Sequence, residues 1–262
     1  MAEPTRDSII SRVVRILSCF DRSTSALSLS SLARRSGLPL TTTHRLADEL
    51  LRHGLLERDS AGDLRPGLRM WELASRASHA LTLREACLPF MEDVQAAVHH
   101  HVTLAVLDRG SALYVERLSA PESPLDAANI AQRMQLHASS SGLVLLAFSE
   151  AAVQARALAG PLEKITPETL TDPAALRRTL ADIRQKGFAA PPGIGRTEWI
   201  GVAVPVFGPD RTAEGPVIAA ALNAIVPRTD ADLVPRVVVA LTTAAHGASR
   251  ALRATSGQPA IP

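Results

Sequence analysis

Leu29-Ser-Ser-Leu-Ala-Arg-Arg-Ser-Gly-Leu-Pro-Leu-Thr-Thr-Thr-His-Arg-Leu-Ala-Asp-Glu-Leu-Leu-Arg-His-Gly-Leu-Leu-Glu-Arg58 fits two short helices, a tight turn and the start of a β-ribbon. The first helix is expected from Ser30 to Ser36, with Leu32 and Ala33 inward and Gly37 supplying the left-handed residue that ends it. Pro39 then sets φ for a second helix over 40–53, in which Leu46, Leu50 and Leu51 form one apolar stripe. Gly54 stops that helix, 55–58 reads as a strand, 59–63 as a turn, and 64–66 as the return strand. This is the pattern of a winged helix-turn-helix; the alternative is an ordinary helical hairpin with a solvated polar face. Ile9, Val13, Ile16, Leu17 and Phe20 recur on one face of a preceding helix that packs on the pair.

Charge favours the first reading. Residues 1–70 hold eleven arginines, no lysine and eight acidic residues, whereas the remainder holds seventeen basic and eighteen acidic residues, so a net charge of +2 conceals a basic front. Arg12, Arg15, Arg34, Arg35, Arg45, Arg58 and Arg65 flank the second helix and can neutralise phosphates, which gives affinity without sequence information. Base reading is expected from Thr42, Thr43, His44 and Arg45, because the N-terminal residues of a recognition helix reach base edges and arginine can grip guanine with two hydrogen bonds. With Ser30, Arg34, Thr41 and Arg58 these complete the candidate DNA-binding set, and for each the alternative is a solvated surface position.

A winged module needs far fewer than 262 residues, so a second domain follows. The expected organisation is a DNA-binding domain over 1–70, a linker helix over 71–82, a second domain over 83–254 and a disordered tail over 255–262. Leu68, Trp71, Leu73, Ala74 and Ala77 mark an amphipathic helix near the junction, which can serve as a dimer contact or pack on a core. Another helix is expected over 83–99, with Pro89 kinking it or sitting in its first turn. The apolar runs are too short or interrupted to span a membrane, the polar start does not resemble a signal peptide, and Cys19 and Cys87 demand no disulfide, so a cytoplasmic protein is expected.

Strands are expected over 102–107 and 112–118 as a hairpin, and over 201–208 and 216–227 joined by a 209–215 loop, with helices over 173–187 and 230–253. Between them, 133–147 reads as an extended segment, a small-residue loop at Ser139 to Gly142 and an apolar helix. Hydroxyls and N–H groups at such a helix start can hold an anion, or the serine can simply cap the helix. His99, His100 and His101 cannot converge on a metal from successive helical positions, so a solvated turn is expected and no metal or cofactor is assigned. The overall class is α+β: an N-terminal winged helix-turn-helix, a helical linker and a C-terminal α/β GAF-like domain.

Taken in order, Gly-Leu-Pro-Leu-Thr-Thr-Thr-His-Arg-Leu at 37–46, Leu-His-Ala-Ser-Ser-Ser-Gly at 136–142, Gly187-Phe188 and Val-Ala-Val-Pro-Val at 202–206 resemble the signatures of IclR-family transcriptional regulators. The resemblance implies a homodimer or dimer of dimers on a palindromic double-stranded operator, controlled by a small metabolite. It carries repression as the expected mode, while the residues themselves give neither the operator nor the sign of control. Carried over residue by residue, it places Ser139, Ser140, Ser141, Gly142, Gly201, Asn223 and Ile225 around the effector. Three departures make that cavity more apolar than one built for a two-carbon acid: Leu143 stands where many members have lysine, Asn223 and Ile225 stand where some have serines, and Glu198 is displaced from the usual acidic position. A small organic acid, aromatic acids included, is the expected effector. The rival reading is an enzyme using Ser139 to Ser141 as nucleophiles and His137 as base; it lacks a Gly-x-Ser-x-Gly elbow, an orienting carboxylate and any nucleotide fingerprint.

Overall fold

The computed structural model describes residues 7–21, 23–76, 79–119, 129–212 and 215–256. The chain divides into two units, residues 1–78 and 79–262.

In the first unit, helix α1 (Ile9–Leu17) starts where the Ser8 hydroxyl accepts a hydrogen bond from the Ser11 N–H, and α2 (Leu29–Ser36) starts in the same way on Ser28 and Ser31. Gly37 ends α2 at φ 65°, a conformation that costs other residues a Cβ clash, and this turns the chain into α3 (Leu40–Arg52). Strands β1 (Leu56–Arg58) and β2 (Leu64–Pro66) form the antiparallel wing, which Leu27 extends through mutual backbone bonds with Leu64. Ile16, Leu32, Leu46, Leu50, Leu56 and Leu64 close one core beneath both helices and the wing. Helix α4 (Leu68–Ser75) ends the unit with Leu68 and Trp71 about as exposed as polar residues, at 77% and 68%.

The second unit opens with α5 (His79–Val98), which carries Pro89 in its interior. A five-stranded antiparallel sheet follows, in the order β5 (Arg133–Gln135), β4 (Ser111–Leu118), β3 (His101–Asp108), β7 (Gly215–Pro227), β6 (Trp199–Thr212). Helices α5 and α9 (Val234–Ser256) cover one face through Cys87, Met91, Val94, Leu241 and Ala248. The other face is covered by α6 (Ser140–Ala147), on which α8 (Pro173–Lys186) packs, and Leu143, Val144, Leu176 and Leu180 belong to the core on that side. Helix α7 (Ala151–Ala159) lies between these two in sequence. Each sheet face buries apolar residues, and hydrophobic burial on both sides is what fixes the strand register.

Several expectations are corrected. Of the expected 209–215 loop, residues 209–212 are strand, because β6 runs on to Thr212, and 213–214 lie outside the described residues; as an edge strand β6 tolerates Pro205 and Pro209, and its register breaks between Phe207 and Arg211 absorb the second. Of Ser139 to Gly142 only Ser139 lies outside the helix, since a 3₁₀ turn (Leu136–Ala138) leads straight into α6. His101 is not solvated: it is a buried residue of β3, and burial, the Arg117 charge and His100 lower its imidazole pKa. Of the expected tail, residues 255 and 256 belong to α9 and 257–262 lie outside the described residues. Cys19 and Cys87 are free and buried, and burial pushes the Cys87 thiol up to about 12. No helix among the described residues is long and apolar enough to cross a membrane.

Candidate functional site

The two units carry two distinct surfaces. On α3, Thr43 turns inward with Leu46, Ala47 and Leu50, and its hydroxyl donates to the Pro39 carbonyl at 3.1 Å. At 0% exposure it is removed from the base-reading set. Thr42 is half-buried, whereas Thr41, His44 and Arg45 are exposed along one side of the helix. His44 is engaged by Asp48 one turn on, Nδ1 to Oδ2 at 2.9 Å. Leu40, which sequence reasoning passed over, is 54% exposed at the start of the same helix and offers an apolar contact there.

The arginines separate in the same way. Arg12 and Arg15 pair with Asp7, Arg35 with Asp21, Arg65 with Glu57, and Arg58 donates to the Gly62 carbonyl inside the wing turn. Among the described residues, the guanidinium groups of Arg34 and Arg45 have no intramolecular partner, and both are exposed. Ser30 is exposed at the start of α2, its hydroxyl 3.1 Å from that of Ser28. An unpaired cation gives up no internal bond when it meets a phosphate. Arg34→Ala is therefore expected to weaken binding evenly across DNA sequences and to reduce the slope of log affinity against log salt by about 1; a salt titration by fluorescence anisotropy that returned an unchanged slope would remove Arg34 from the interface.

In the second unit a cavity of about 260 Å³ opens between α6, the late strands and the segment before β6. It gathers five of the seven expected effector residues: Ser139, Ser140, Gly201, Asn223 and Ile225. Ser141 and Gly142 do not line it; both are buried in the first turn of α6. Ser139 caps that helix, its hydroxyl accepting from the Gly142 N–H at 3.0 Å. The Ser140 hydroxyl donates to Asn223 Oδ1 at 2.9 Å, and Asn223 Nδ2 donates to Thr103 Oγ1 at 3.0 Å. All three residues are buried, so this chain of hydrogen bonds fixes the polar floor before any ligand arrives.

Gly201 makes room for that chain. A Cβ there would stand 2.2 Å from Ser140 Oγ and 3.2 Å from Asn223 Oδ1. Further walls that the sequence pattern did not mark include Tyr114 on β4, Met134 on β5, Ile165, Ile194 and Arg196 in loops, and Trp199 at the start of β6. The Tyr114 hydroxyl donates to Met134 Sδ at 3.6 Å. Burial raises the pKa of this phenol, and the neighbouring Ser141 and Ser139 hydroxyls offset part of the rise, so Tyr114 stays a neutral donor at physiological pH. Arg196 is the one charged side chain on the lining among the described residues. His137, the supposed base, instead has Nε2 2.9 Å from the Glu163 carbonyl oxygen and is absent from this lining. No group of three His, Cys, Asp or Glu residues capable of holding a metal occurs among the described residues.

Comparison with known proteins agrees across both units. Residues 10–60 match the IclR helix-turn-helix domain and residues 75–250 match the C-terminal domain of bacterial IclR transcriptional regulators. The chain is 28% identical to the uncharacterized HTH-type transcriptional regulator RhmR of Escherichia coli K12, over 79% of this chain and 80% of that one. It is 26% identical to the transcriptional repressor IclR of the same organism, over 69% and 67% of the two chains. Among solved structures, an IclR homologue from Microbacterium hydrocarbonoxydans complexed with 4-hydroxybenzoate is 43% identical, with a TM-score of 0.86 over 94% of this chain and 100% of that one.

Proposed function

The chain belongs to the IclR family of bacterial transcriptional regulators, and from that membership we propose that its hold on DNA is set by a small aromatic acid bound in the 260 Å³ cavity. The observation that carries this reading is the lining itself. Arg196 supplies the cation, Ser140 and Asn223 supply polar atoms, and Tyr114, Met134, Trp199 and three isoleucines supply apolar walls. A cavity of about 150 Å³ already admits benzene, so 260 Å³ accommodates one substituted ring. The 4-hydroxybenzoate held by the Microbacterium homologue is a ligand of this class. Repression is the sign of control, in keeping with relatives that are named repressors.

Operator recognition is assigned to α3, with Arg45 reading bases beside Thr41 and Thr42, and Ser30, Arg34 and Arg58 on the backbone. His44 is placed at the rim of that surface. A homodimer, or a dimer of dimers, on a palindromic operator is the assembly proposed, and the exposed Leu68 and Trp71 of α4 suit the contact between copies.

A ligand that binds only the folded state adds about 2.7 kcal/mol of stability at a hundred times its dissociation constant. In thermal melts followed by fluorescence, 4-hydroxybenzoate and benzoate are expected to raise the midpoint of the second unit. Gly201→Ala is expected to abolish that rise, because its methyl group displaces Ser140 from Asn223. Stabilisation by sugars or cationic compounds alone would exclude the aromatic-acid reading.

A further inference from the structure

A second hollow in the same unit has chemistry that the first cavity does not explain. It measures about 590 Å³ and lies between the β3–β4 turn, the segment leading into α6, and helices α7 and α8. Its floor is apolar, formed by Leu107, Leu136, Leu146, Val153, Leu162 and Leu176. Two arginines stand on its lining, Arg109 from the β3–β4 turn and Arg156 from α7.

The charge balance there is one-sided. Among the described residues, neither the Arg109 nor the Arg156 guanidinium has an intramolecular partner, and both are exposed. Among the described residues, no carboxylate lines the hollow. Glu163, next to Leu162 in the chain, has its carboxylate held by Gln135 Nε2 at 2.7 Å, and its carbonyl oxygen is 2.9 Å from His137 Nε2. These two bonds tie Glu163 to the 135–137 segment. Arg109 sits at φ 49°, a left-handed conformation unusual for a residue with a Cβ, at the tight turn that carries it to the rim.

We infer that this hollow is a second ligand site, for an amphiphilic alkyl carboxylate whose chain lies on the leucine floor and whose head group is gripped by Arg109 and Arg156. Guanidinium groups bind carboxylates through paired, charge-assisted hydrogen bonds, and a volume in the range of ordinary ligand pockets leaves room for a chain of medium length. The site is separate from the aromatic-acid cavity. Gln135, Leu136 and His137 face the hollow, whereas Met134 and Ser139 on either side of them line the other cavity, so one segment forms part of both walls.

Calorimetric titration of the full chain with sodium octanoate tests the assignment. Saturable binding is expected, with octan-1-ol at least about tenfold weaker and the Arg109→Ala/Arg156→Ala protein about tenfold or more weaker for octanoate. The same double variant is expected to bind 4-hydroxybenzoate within about twofold of the parent. Gly201→Ala, which obstructs the first cavity, is expected to leave octanoate binding in place. Absence of saturable octanoate binding, equal affinity for octanol, or octanoate binding that is lost in Gly201→Ala yet retained in the arginine variant would each overturn the second site. So would dissociation of the native oligomer by the double variant without any octanoate binding, since the hollow would then belong to a contact between copies. Octanoate binding with the expected dependence on the arginines, together with no response to any aromatic acid, would support this site and remove the reading of the first cavity.

Discussion

Gly142→Ala is expected to cost about 3 kcal/mol or more, at the upper end of what overpacking a core produces. A Cβ at this position would stand 2.4 Å from the Leu136 carbonyl oxygen, 2.6 Å from its Cα and 2.8 Å from its carbonyl carbon. All three are backbone atoms, so no rotamer change relieves the clash. Neither side can retreat cheaply. Leu143, Val144, Leu145 and Leu146 of α6 are fully buried, and the opposing segment is held by the ion pair of Arg133 with Asp108 and by the contacts of Gln135 and His137 with Glu163. Trp199 belongs to the second unit and Trp71 to the first, so urea unfolding of Trp71→Phe and Gly142→Ala/Trp71→Phe proteins by tryptophan fluorescence isolates the loss. A midpoint shift equivalent to less than about 1 kcal/mol would show that the close approach relaxes without strain.

The role of Gly142 illustrates what sequence does and does not convey. The resemblance to IclR regulators placed it among effector contacts, yet it serves as the clamp that lets the 3₁₀ turn rest on α6 and so brings Ser139 and Ser140 to the cavity. Close backbone approach between residues six apart leaves no periodic trace. Local signals, by contrast, were readable: Gly37 and Pro39 encode their helix boundaries within a few residues, because φ preferences act over that distance, while the cap at Ser28 starts α2 one residue before the expected Ser30. Thr43 was legible in principle, since it stands three, four and seven residues before Leu46, Ala47 and Leu50 and shares their stripe; its hydroxyl disguised a core position.

The cavity walls were legible only in part for a different reason. Tyr114, Met134, Arg196 and Trp199 reach it from elements far apart in the chain, and only strand pairing unites them. A bulge in β3–β4 decides part of this arrangement. It lies where the register shifts between Leu104 and Ala105, so that Tyr114 pairs with Ala105 and packs toward α6, while the buried Glu116 pairs with Leu104 and forms an ion pair with the partly exposed Arg84 of α5. Two residues that plain alternation would place on one face thus serve opposite faces. The lone tyrosine of the chain, at an inward strand position, was the available signal. The identity of its partner strands was not.

Arg45→Ala is expected to abolish sequence discrimination while leaving the fold and residual DNA binding intact. Four observations converge on this residue: Thr43 is buried, His44 is tied to Asp48, Thr42 is half-buried, and the Arg45 guanidinium is exposed without a partner among the described residues. A bidentate contact to guanine discriminates by about 1–3 kcal/mol, and a palindromic site read by two copies counts it twice. The ratio of affinities for the promoter fragment of its own operon and for a scrambled duplex should therefore collapse by one to four orders of magnitude, or about 2–6 kcal/mol. Circular dichroism should be unchanged, because an exposed side chain without internal bonds contributes little to stability. Arg45→Lys separates geometry from charge: it restores the nonspecific affinity but not the ratio, since an ammonium group lacks the planar fork. Retention of the full ratio in Arg45→Ala would move base reading to Thr41, Thr42 or the apolar Leu40.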